Sequence, residues 1–169
     1  MNDLVDRYEI SAQTMALEAY AHPVYQTKIW ETHRILYSVK TPLQLIRESC
    51  IMRNYSTYEG KRLAIQECCH FKQNIPIPID HQHFICAIPT KSPSSWPCSW
   101  IFYAHIERLE RHDSRHTTIH FRNGKSQIFP ISFNQMEKQW IKAGHILAKL
   151  NLLDKMKLLP ADRPFPPLR

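Results

Sequence analysis

The feature of this sequence that most constrains its fold is a β-hairpin signal placed directly before a long amphipathic segment. Asn123 and Gly124, two residues that tolerate a positive φ, separate the candidate strands 117–121 and 126–131. The dipeptide is the strongest hairpin signal in the chain. It predicts an antiparallel pair of strands whose second member leads into the final helix.

The first and last of three predicted helices have clear start signals. Thr41 is a suitable N-cap for a helix over residues 42–52, with Pro42 at its first position. Ser132 and Gln135 fit the S-x-x-Q capping box of the final helix. Apolar residues recur every three or four positions in both helices, which predicts one buried face for each. These residues are Leu43, Ile46 and Cys50, then Phe133, Met136, Trp140, Ala143, Leu147 and Leu150.

A second helix is predicted from Ser56 and Glu59, which fit an S-x-x-E capping box, to about His70. Its expected apolar face is less regular than the others and consists of Leu63, Ala64, Cys68 and Phe71.

The remaining segments rich in β-branched and aromatic residues are predicted strands: 8–20, 25–39, 84–89 and 100–109. The fold class expected from this pattern is α+β, mainly antiparallel sheet with about three helices, including the long C-terminal amphipathic one. We expect a single domain over residues 1–155 and a proline-rich extended tail over residues 156–169.

The composition excludes several classes of protein. With 3 glycines against 12 prolines, the chain cannot form the glycine-rich loops of P-loop or dinucleotide-binding proteins. The apolar fraction of 43% is that of a globular protein. We find neither an apolar run of membrane-spanning length nor a secretory signal, so we expect a cytoplasmic protein without a membrane partner.

Positive charge is concentrated in the second part of the chain. Residues 1–60 carry 6 Lys and Arg against 7 Asp and Glu, a balance of −1, whereas residues 61–169 carry 16 against 8, a balance of +8. Such segregation favours a polyanionic partner such as nucleic acid, although a merely soluble basic surface is the simpler reading.

Three basic clusters are candidate contacts for nucleic acid. Near the second helix lie Arg53, Tyr55, Lys61 and Arg62, where free backbone N–H groups would favour a phosphate. The hairpin tip offers Arg122, Asn123 and Lys125, and the polar face of the final helix offers Lys138, Lys142 and Lys149. An ordinary capped helix, a charged turn and a solvated helix face are the structural alternatives.

Metal and catalytic sites have weaker support. Cys68, Cys69, His70, His81, His83 and Cys98 could be zinc ligands, but their spacing matches no zinc finger. Five cysteines without a C-x-x-C pair are better explained as buried thiols. Cys98 with His105 lacks the context of a catalytic pair. We therefore predict no metal, no cofactor and no enzymatic activity.

Five short motifs occur in a fixed order and carry a family resemblance. They are K-T-P-L-Q-L-I-R-E-S-C at 40–50, S-T-Y-E-G-K-R at 56–62, P-T-K-S-P at 89–93, C-S-W-I at 98–101 and R-N-G-K-S-Q-I-F-P-I-S at 122–132. Together they resemble the ComK family of competence transcription factors. The likeness begins near Tyr8 and fades past His145. Ser56, Tyr58 and Gly60 match the family's S-x-Y-x-G-R pattern, with Lys61 where arginine is usual.

The resemblance implies a sequence-specific DNA-binding activator of competence (DNA-uptake) genes. Family members are described as minor-groove binders of paired A·T-rich promoter boxes, acting as a dimer or a pair of dimers. The hairpin tip would then be a candidate groove contact. The resemblance also implies an adaptor of an ATP-dependent protease, for which Met156, Leu158 and Leu159 are candidate contacts, and an activator would have RNA polymerase as a further partner.

Two other classes of function remain open from the sequence alone. One is a non-specific binder of single-stranded nucleic acid, which would require Trp96, Trp100, Phe102 and Tyr103 to be exposed beside the basic surface rather than buried. The other is a protein-interaction module.

Overall fold

The computed structural model describes residues 3–157, which form an α+β fold with three helices, as the sequence predicts. The helices in this part of the chain are α1 (Pro42–Asn54), α2 (Tyr58–Cys69) and α3 (Phe133–Lys157). The strands in the same residues are β1 (Thr14–Ala19), β2 (Thr27–Glu31), β3 (Ile35–Ser38), β4 (Ile77–Asp80), β5 (Ile85–Pro89), β6 (Trp100–Phe102), β7 (Ile106–Arg111), β8 (Thr117–Phe121) and β9 (Ser126–Phe129).

The strands form two antiparallel sheets. A six-stranded sheet has the order β3-β2-β1-β6-β5-β4, and a three-stranded sheet has the order β7-β8-β9. Strand β1 pairs with both β2 and β6, so the N-terminal hairpins and the middle of the chain are joined in one sheet. None of the helices within residues 3–157 combines the length and apolar character that crossing a bilayer requires.

Two hydrophobic cores lie on opposite faces of the six-stranded sheet, because successive residues of a strand point to opposite sides. Leu17 and Trp100 lie in the first core, together with the buried residues of α1 and α2. Ala16 and Ile101 lie in the second, together with residues of β8, β9 and α3. Helix α3 also contributes Ile146 to the first core, so it joins the two. The helices α1 and α2 therefore cover one face of this sheet, and the three-stranded sheet covers the other.

The predicted hairpin is confirmed. The N–H of Phe121 donates to the carbonyl of Lys125 over 2.8 Å, which closes a three-residue loop formed by residues 122–124. Gly124 has a φ of 88°, the left-handed conformation that glycine adopts without strain. Asn123 does not share the positive φ, so the loop is the three-residue hairpin with glycine in the left-handed position rather than a two-residue turn.

Helix α1 begins as predicted. Thr41 accepts a hydrogen bond from the N–H of Gln44, and the Gln44 side chain accepts one from the N–H of Thr41. The reciprocal pair satisfies two backbone donors at the start of the helix, which also has Pro42 at its first position.

The predicted capping box of the second helix is wrong by one residue. Thr57 is the N-cap of α2, and its hydroxyl oxygen accepts the N–H of Gly60 over 3.0 Å. A Cβ on Gly60 would lie 3.0 Å from the same oxygen, so glycine leaves room for the cap. Glu59 has no role in a box and instead pairs with Arg47 at 3.0 Å.

The predicted apolar face of the second helix is wrong for Leu63 and Ala64, whereas Cys68 and Phe71 pack against the first core as predicted. Ile65 and Cys69 are buried, whereas Leu63 is 57% exposed and Ala64 is exposed. Helix α2 packs on strand β4, a strand that was not predicted from the sequence. Two prolines in residues 76–78 argue against a strand, but β4 is an edge strand of the sheet, where the missing N–H of proline is tolerated.

Two predicted strands are each divided in the structure. Segment 25–39 folds as a hairpin of β2 and β3 around a turn at residues 32–34. Segment 100–109 contains β6 and β7, which belong to different sheets and are separated by a short 3-10 turn, Tyr103–His105. Continuous apolar runs do not show where a chain leaves one sheet for another, since the change depends on the packing of the two cores.

Helix α3 begins at the residue after Ser132, whose hydroxyl accepts the N–H of Gln135 over 3.4 Å. Met136, Ala143 and Leu147 of the predicted apolar face are buried. The helix continues to Lys157, two residues past the expected end of the domain at residue 155. Residues 158–169, with most of the predicted tail, lie outside the described residues.

The cap at α2 gives a stability prediction. Thr57→Ala removes the side-chain acceptor at the start of the helix, so we expect the free energy of unfolding to fall by about 1 kcal/mol in urea denaturation. Ser56→Ala is the matched control and should change it by less than about 0.5 kcal/mol. A larger loss of unfolding free energy in Ser56→Ala than in Thr57→Ala would instead identify Ser56 as the N-cap.

Candidate nucleic-acid interface

Basic side chains in the first part of the chain are mostly neutralised by carboxylates. The pairs are Arg34 with Glu31 at 2.6 Å, Lys40 with Glu48 at 2.8 Å, Arg47 with Glu59 at 3.0 Å and Arg53 with Asp80 at 2.9 Å. Such pairs leave little net positive potential on this part of the surface.

Four carboxylates in the second part of the chain bind histidines, and one of them, Asp80, also binds Arg53. The pairs are His83 with Asp80, His120 with Glu110, His116 with Asp113 and His81 with Asp154, all at 2.5–2.9 Å. The hydrogen bond from His120 lowers the pKa of Glu110, and that from His81 lowers the pKa of Asp154. Histidine side chains therefore occupy these four carboxylates.

The lysines and arginines of the second part consequently lack acidic partners. Of the lysines and arginines within residues 61–157, only Arg108 lies within 4.0 Å of a carboxylate of the described chain, at 3.7 Å from Glu110. The uneven charge in the sequence is therefore also an uneven pairing of charges in the folded protein.

The predicted cluster at the second helix contains two residues that serve the fold. Arg53 donates to Asp80 over 2.9 Å and to the carbonyl of Ile10 over 3.4 Å. Lys61 donates to the carbonyls of Pro78 at 3.1 Å and Ile79 at 3.4 Å. Burial lowers the pKa of Lys61. Arg53 therefore links α1 to strand β4 and to the backbone at Ile10, and Lys61 links α2 to strand β4.

The other two residues of that cluster point to solvent. Tyr55 caps the C-terminus of α1 with a φ of 52° and is 92% exposed. Arg62 is exposed on α2. Because α1 and α2 cover one face of the six-stranded sheet and β8 and β9 cover the other, this cluster and the hairpin tip lie on opposite sides of that sheet.

The lysines of the predicted row on α3 also differ in their contacts. Lys142 donates to the carbonyl of Gln73 over 3.4 Å and lies 5.4 Å from the ring centre of Phe71. Lys149 donates to the carbonyl of Cys68. These two residues tie α3 to the C-terminal end of α2 and the segment after it. Lys138 is exposed and has no hydrogen-bond partner in the described chain.

The hairpin tip is exposed and anchored at its base. Arg122 donates through Nε to the carbonyl of Ala104 over 3.0 Å, and Asn123 donates to the carbonyl of Thr32 over 3.2 Å. Lys125 is exposed and has no acidic partner in the described chain. The tip is therefore held in one orientation while it presents its charges to solvent.

The outer face of the three-stranded sheet extends this surface, and the sequence analysis missed it. Arg108 lies opposite His120 on the neighbouring strand, and His120 lies opposite Ser126. Arg111 lies opposite the buried Thr117, so it belongs to the other face of this sheet, 5.3 Å from the ring centre of Phe133 at the start of α3. The alternation of buried and partly buried residues in β8 is the signal that could have shown which side chains share this face.

A second missed surface contains stacked aromatic rings near the N-terminal hairpins. The ring centres of His22 and Tyr25 are 4.5 Å apart with nearly parallel planes, and Tyr37 lies 4.9 Å from Tyr25. Lys28 lies 4.6 Å from the ring centre of Trp30. The four aromatic residues named in the sequence analysis do not form such a platform, since Trp100 and Phe102 are buried in the core and Tyr103 is partly buried, although Trp96 is 50% exposed.

The cysteines behave as core residues. Burial raises the pKa of Cys50 to about 11 and also raises that of Cys86 and Cys98, which keeps these thiols protonated at neutral pH. Among residues 3–157, no three His, Cys, Asp or Glu side chains come together in a way that could hold a metal ion.

The two roles of the cluster at α2 can be separated by mutation. Lys61→Ala removes two hydrogen bonds from a partly buried ammonium group, so we expect the free energy of unfolding to fall by about 1–3 kcal/mol. Arg62→Ala, a neighbouring exposed control, should change it by less than about 0.5 kcal/mol. Urea denaturation measures both. Equal, small effects would show that the carbonyl contacts of Lys61 do not support the fold.

The chain is 28% identical over 146 residues to a competence transcription factor of Bacillus subtilis (strain 168), an alignment that covers 86% of this chain and 76% of the relative. No solved structure matches the chain. The family model described as ComK protein matches residues 5–155. Since that match covers most of the chain, this protein belongs to the ComK family.

Proposed function

We propose that this protein is a DNA-binding transcriptional activator of competence genes that acts in the cytoplasm. Family membership and the likeness to a competence transcription factor support this class of function. The observation that carries the DNA-binding part is the absence of acidic partners for the basic residues of the described second part, apart from Arg108. Such side chains can bind phosphates without first breaking an ion pair.

The hairpin tip is the proposed groove contact. Its Nε bond to Ala104 holds the Arg122 guanidinium in place and leaves the terminal nitrogens without a partner in the described chain. The Asn123 bond to Thr32 holds the loop against the turn between β2 and β3. A preorganised arginine loses less entropy on binding, and arginine favours the narrow minor groove of A·T-rich DNA.

The adjacent outer face of the three-stranded sheet would bind the DNA backbone. Arg108 is exposed there and would exchange its 3.7 Å contact with Glu110 for a phosphate, and Lys125 directly precedes β9. Arg53, Lys61, Lys142 and Lys149 are assigned structural roles instead, because each is bound to a carboxylate or a carbonyl of the protein. Tyr55 and Arg62 would then lie away from the groove that the hairpin enters.

Dimerisation would supply the specificity that one hairpin lacks. The minor groove distinguishes A·T from G·C pairs but carries little further information. A dimer, or a pair of dimers, on two A·T-rich boxes would add the spacing between boxes as a second criterion.

Protein partners complete the proposal. An activator would also contact RNA polymerase, and turnover would involve the adaptor of an ATP-dependent protease. Of the candidate adaptor contacts, Met156 lies in the last turn of α3 and is 38% exposed. Leu158 and Leu159 lie outside the described residues.

A second candidate function is non-specific binding of single-stranded nucleic acid. The exposed His22 stacked on Tyr25, with Lys28 close to two neighbouring aromatic rings, is the kind of surface on which unpaired bases stack. This reading predicts loss of single-strand binding in Tyr25→Ala, with little dependence on base sequence.

A gel-shift titration at two salt concentrations separates these functions. We expect tight binding to duplexes with two correctly spaced A·T-rich boxes and weaker binding to duplexes with altered spacing. Equal affinity for both spacings would contradict the activator proposal. Preference for single strands over every duplex would support the second candidate instead.

The double variant Arg122→Ala and Lys125→Ala tests the hairpin. If each side chain neutralises one phosphate, the slope of log affinity against log salt should become shallower by about 2. The control, Lys155→Ala with Lys157→Ala, removes the same charge from the end of α3 and should leave the slope nearly unchanged. Equal slopes in the two double variants would remove the hairpin from the interface.

A further inference from the structure

A cleft of about 340 Å³ lies at the start of α3, at the end of β9 away from the hairpin tip. Four segments form its walls: the segment after α2, the end of β5 and the loop that follows, the connection from β9 to α3, and the first turns of α3. The lining residues are Gln73, Asn74, Pro89, Thr90, Lys91, Pro130, Ile131, Gln135, Lys138, Gln139 and Lys142.

The wall of the cleft is held together by one buried side chain. The amide of Gln139 donates to the carbonyl of Asn74 over 2.7 Å and to that of Pro89 over 3.2 Å, and the residue is 6% exposed. Three of the four segments are therefore joined at one point. A cleft fixed in this way loses little conformational entropy when a ligand enters.

The charge of the lining is entirely positive. Lys91, Lys138 and Lys142 line the cleft, and none of the lining residues is acidic. Lys142 is held in position by the carbonyl of Gln73 and the ring of Phe71. Lys91 and Lys138 have no hydrogen-bond partner for their ammonium groups in the described chain. Like charges around one cavity repel one another, and a bound anion would relieve that repulsion.

The other lining residues indicate what kind of anion fits. Thr90, Gln73 and Gln135 add polar groups, and Pro89, Pro130 and Ile131 add apolar ones. The volume of about 340 Å³ lies within the range of small-molecule sites, roughly 300–1,000 Å³. Three ammonium groups with an apolar wall suit an anion of several charges that also has a less polar part.

We propose that this cleft binds a small phosphorylated molecule of nucleotide size. It is separated from the hairpin by the length of β9, four residues or about 13 Å. The site is therefore distinct from the groove contact, and a ligand could occupy it while DNA is bound. Binding of an anion in the cleft does not require that the protein bind DNA.

Isothermal titration calorimetry of the full chain with ATP, in the absence of divalent cations, tests whether the cleft binds a phosphorylated molecule. We expect saturable binding of one ATP, and no binding of adenosine, because the phosphates provide the charge. Lys91→Gln with Lys138→Gln should lower the affinity at least tenfold. These lysines make no contact that supports the fold, so the variant should unfold at the same urea concentration as the parent protein.

The control is Lys72→Gln with Lys155→Gln, which removes the same charge from exposed positions outside the cleft. We expect its ATP affinity to stay within twofold of the parent. Equal losses in both double variants would mean diffuse attraction to a basic protein and would overturn the proposal, as would the absence of saturable ATP binding.

Gel shifts with the same variants distinguish this site from the DNA interface. If Lys91→Gln with Lys138→Gln abolishes DNA binding and the parent binds no ATP, the cleft belongs to the DNA surface and the small-molecule proposal fails. If the parent binds ATP in the cleft but binds no DNA, the small-molecule proposal holds and the DNA proposal fails.

Discussion

Burial of the six-stranded sheet on both of its faces is the constraint on which the rest of the structure depends. Ala16 and Leu17, neighbours on β1, are both fully buried but lie in different cores. Helices α1 and α2 must cover one face, and the three-stranded sheet with α3 must cover the other. Because the apolar surface removed from water scales with this coverage, loss of either layer would expose a large part of the core.

The two layers also divide the functional surfaces. The hairpin tip and the outer face of the three-stranded sheet lie on one side, and Tyr55 and Arg62 lie on the other. Histidines also contribute to the charge distribution, since His120 binds Glu110 and His81 binds Asp154. A protein with a modest net charge can thus present a strongly basic surface locally.

Local signals in the sequence predicted the elements that depend on local chemistry. Thr41 with Pro42 and the loop around Gly124 are confirmed because capping and turn geometry involve only a few neighbouring residues. The predictions of the α2 cap and of Leu63 as a buried residue were wrong. Two candidate caps stand side by side, and the choice of Ile65 over Leu63 as a buried residue depends on strand β4, which two prolines concealed.

By itself, the sequence determined the fold class, the position of the hairpin and the concentration of positive charge after residue 60. Only the tertiary structure decided which cations remain available to a ligand. Lys61 and Lys149 bind carbonyl groups from other segments, whereas Lys125 and Lys138 do not. The charge of a lysine or arginine is known from the residue type alone. Its availability depends on which distant backbone oxygen the fold places beside it, which spacing along the chain does not encode.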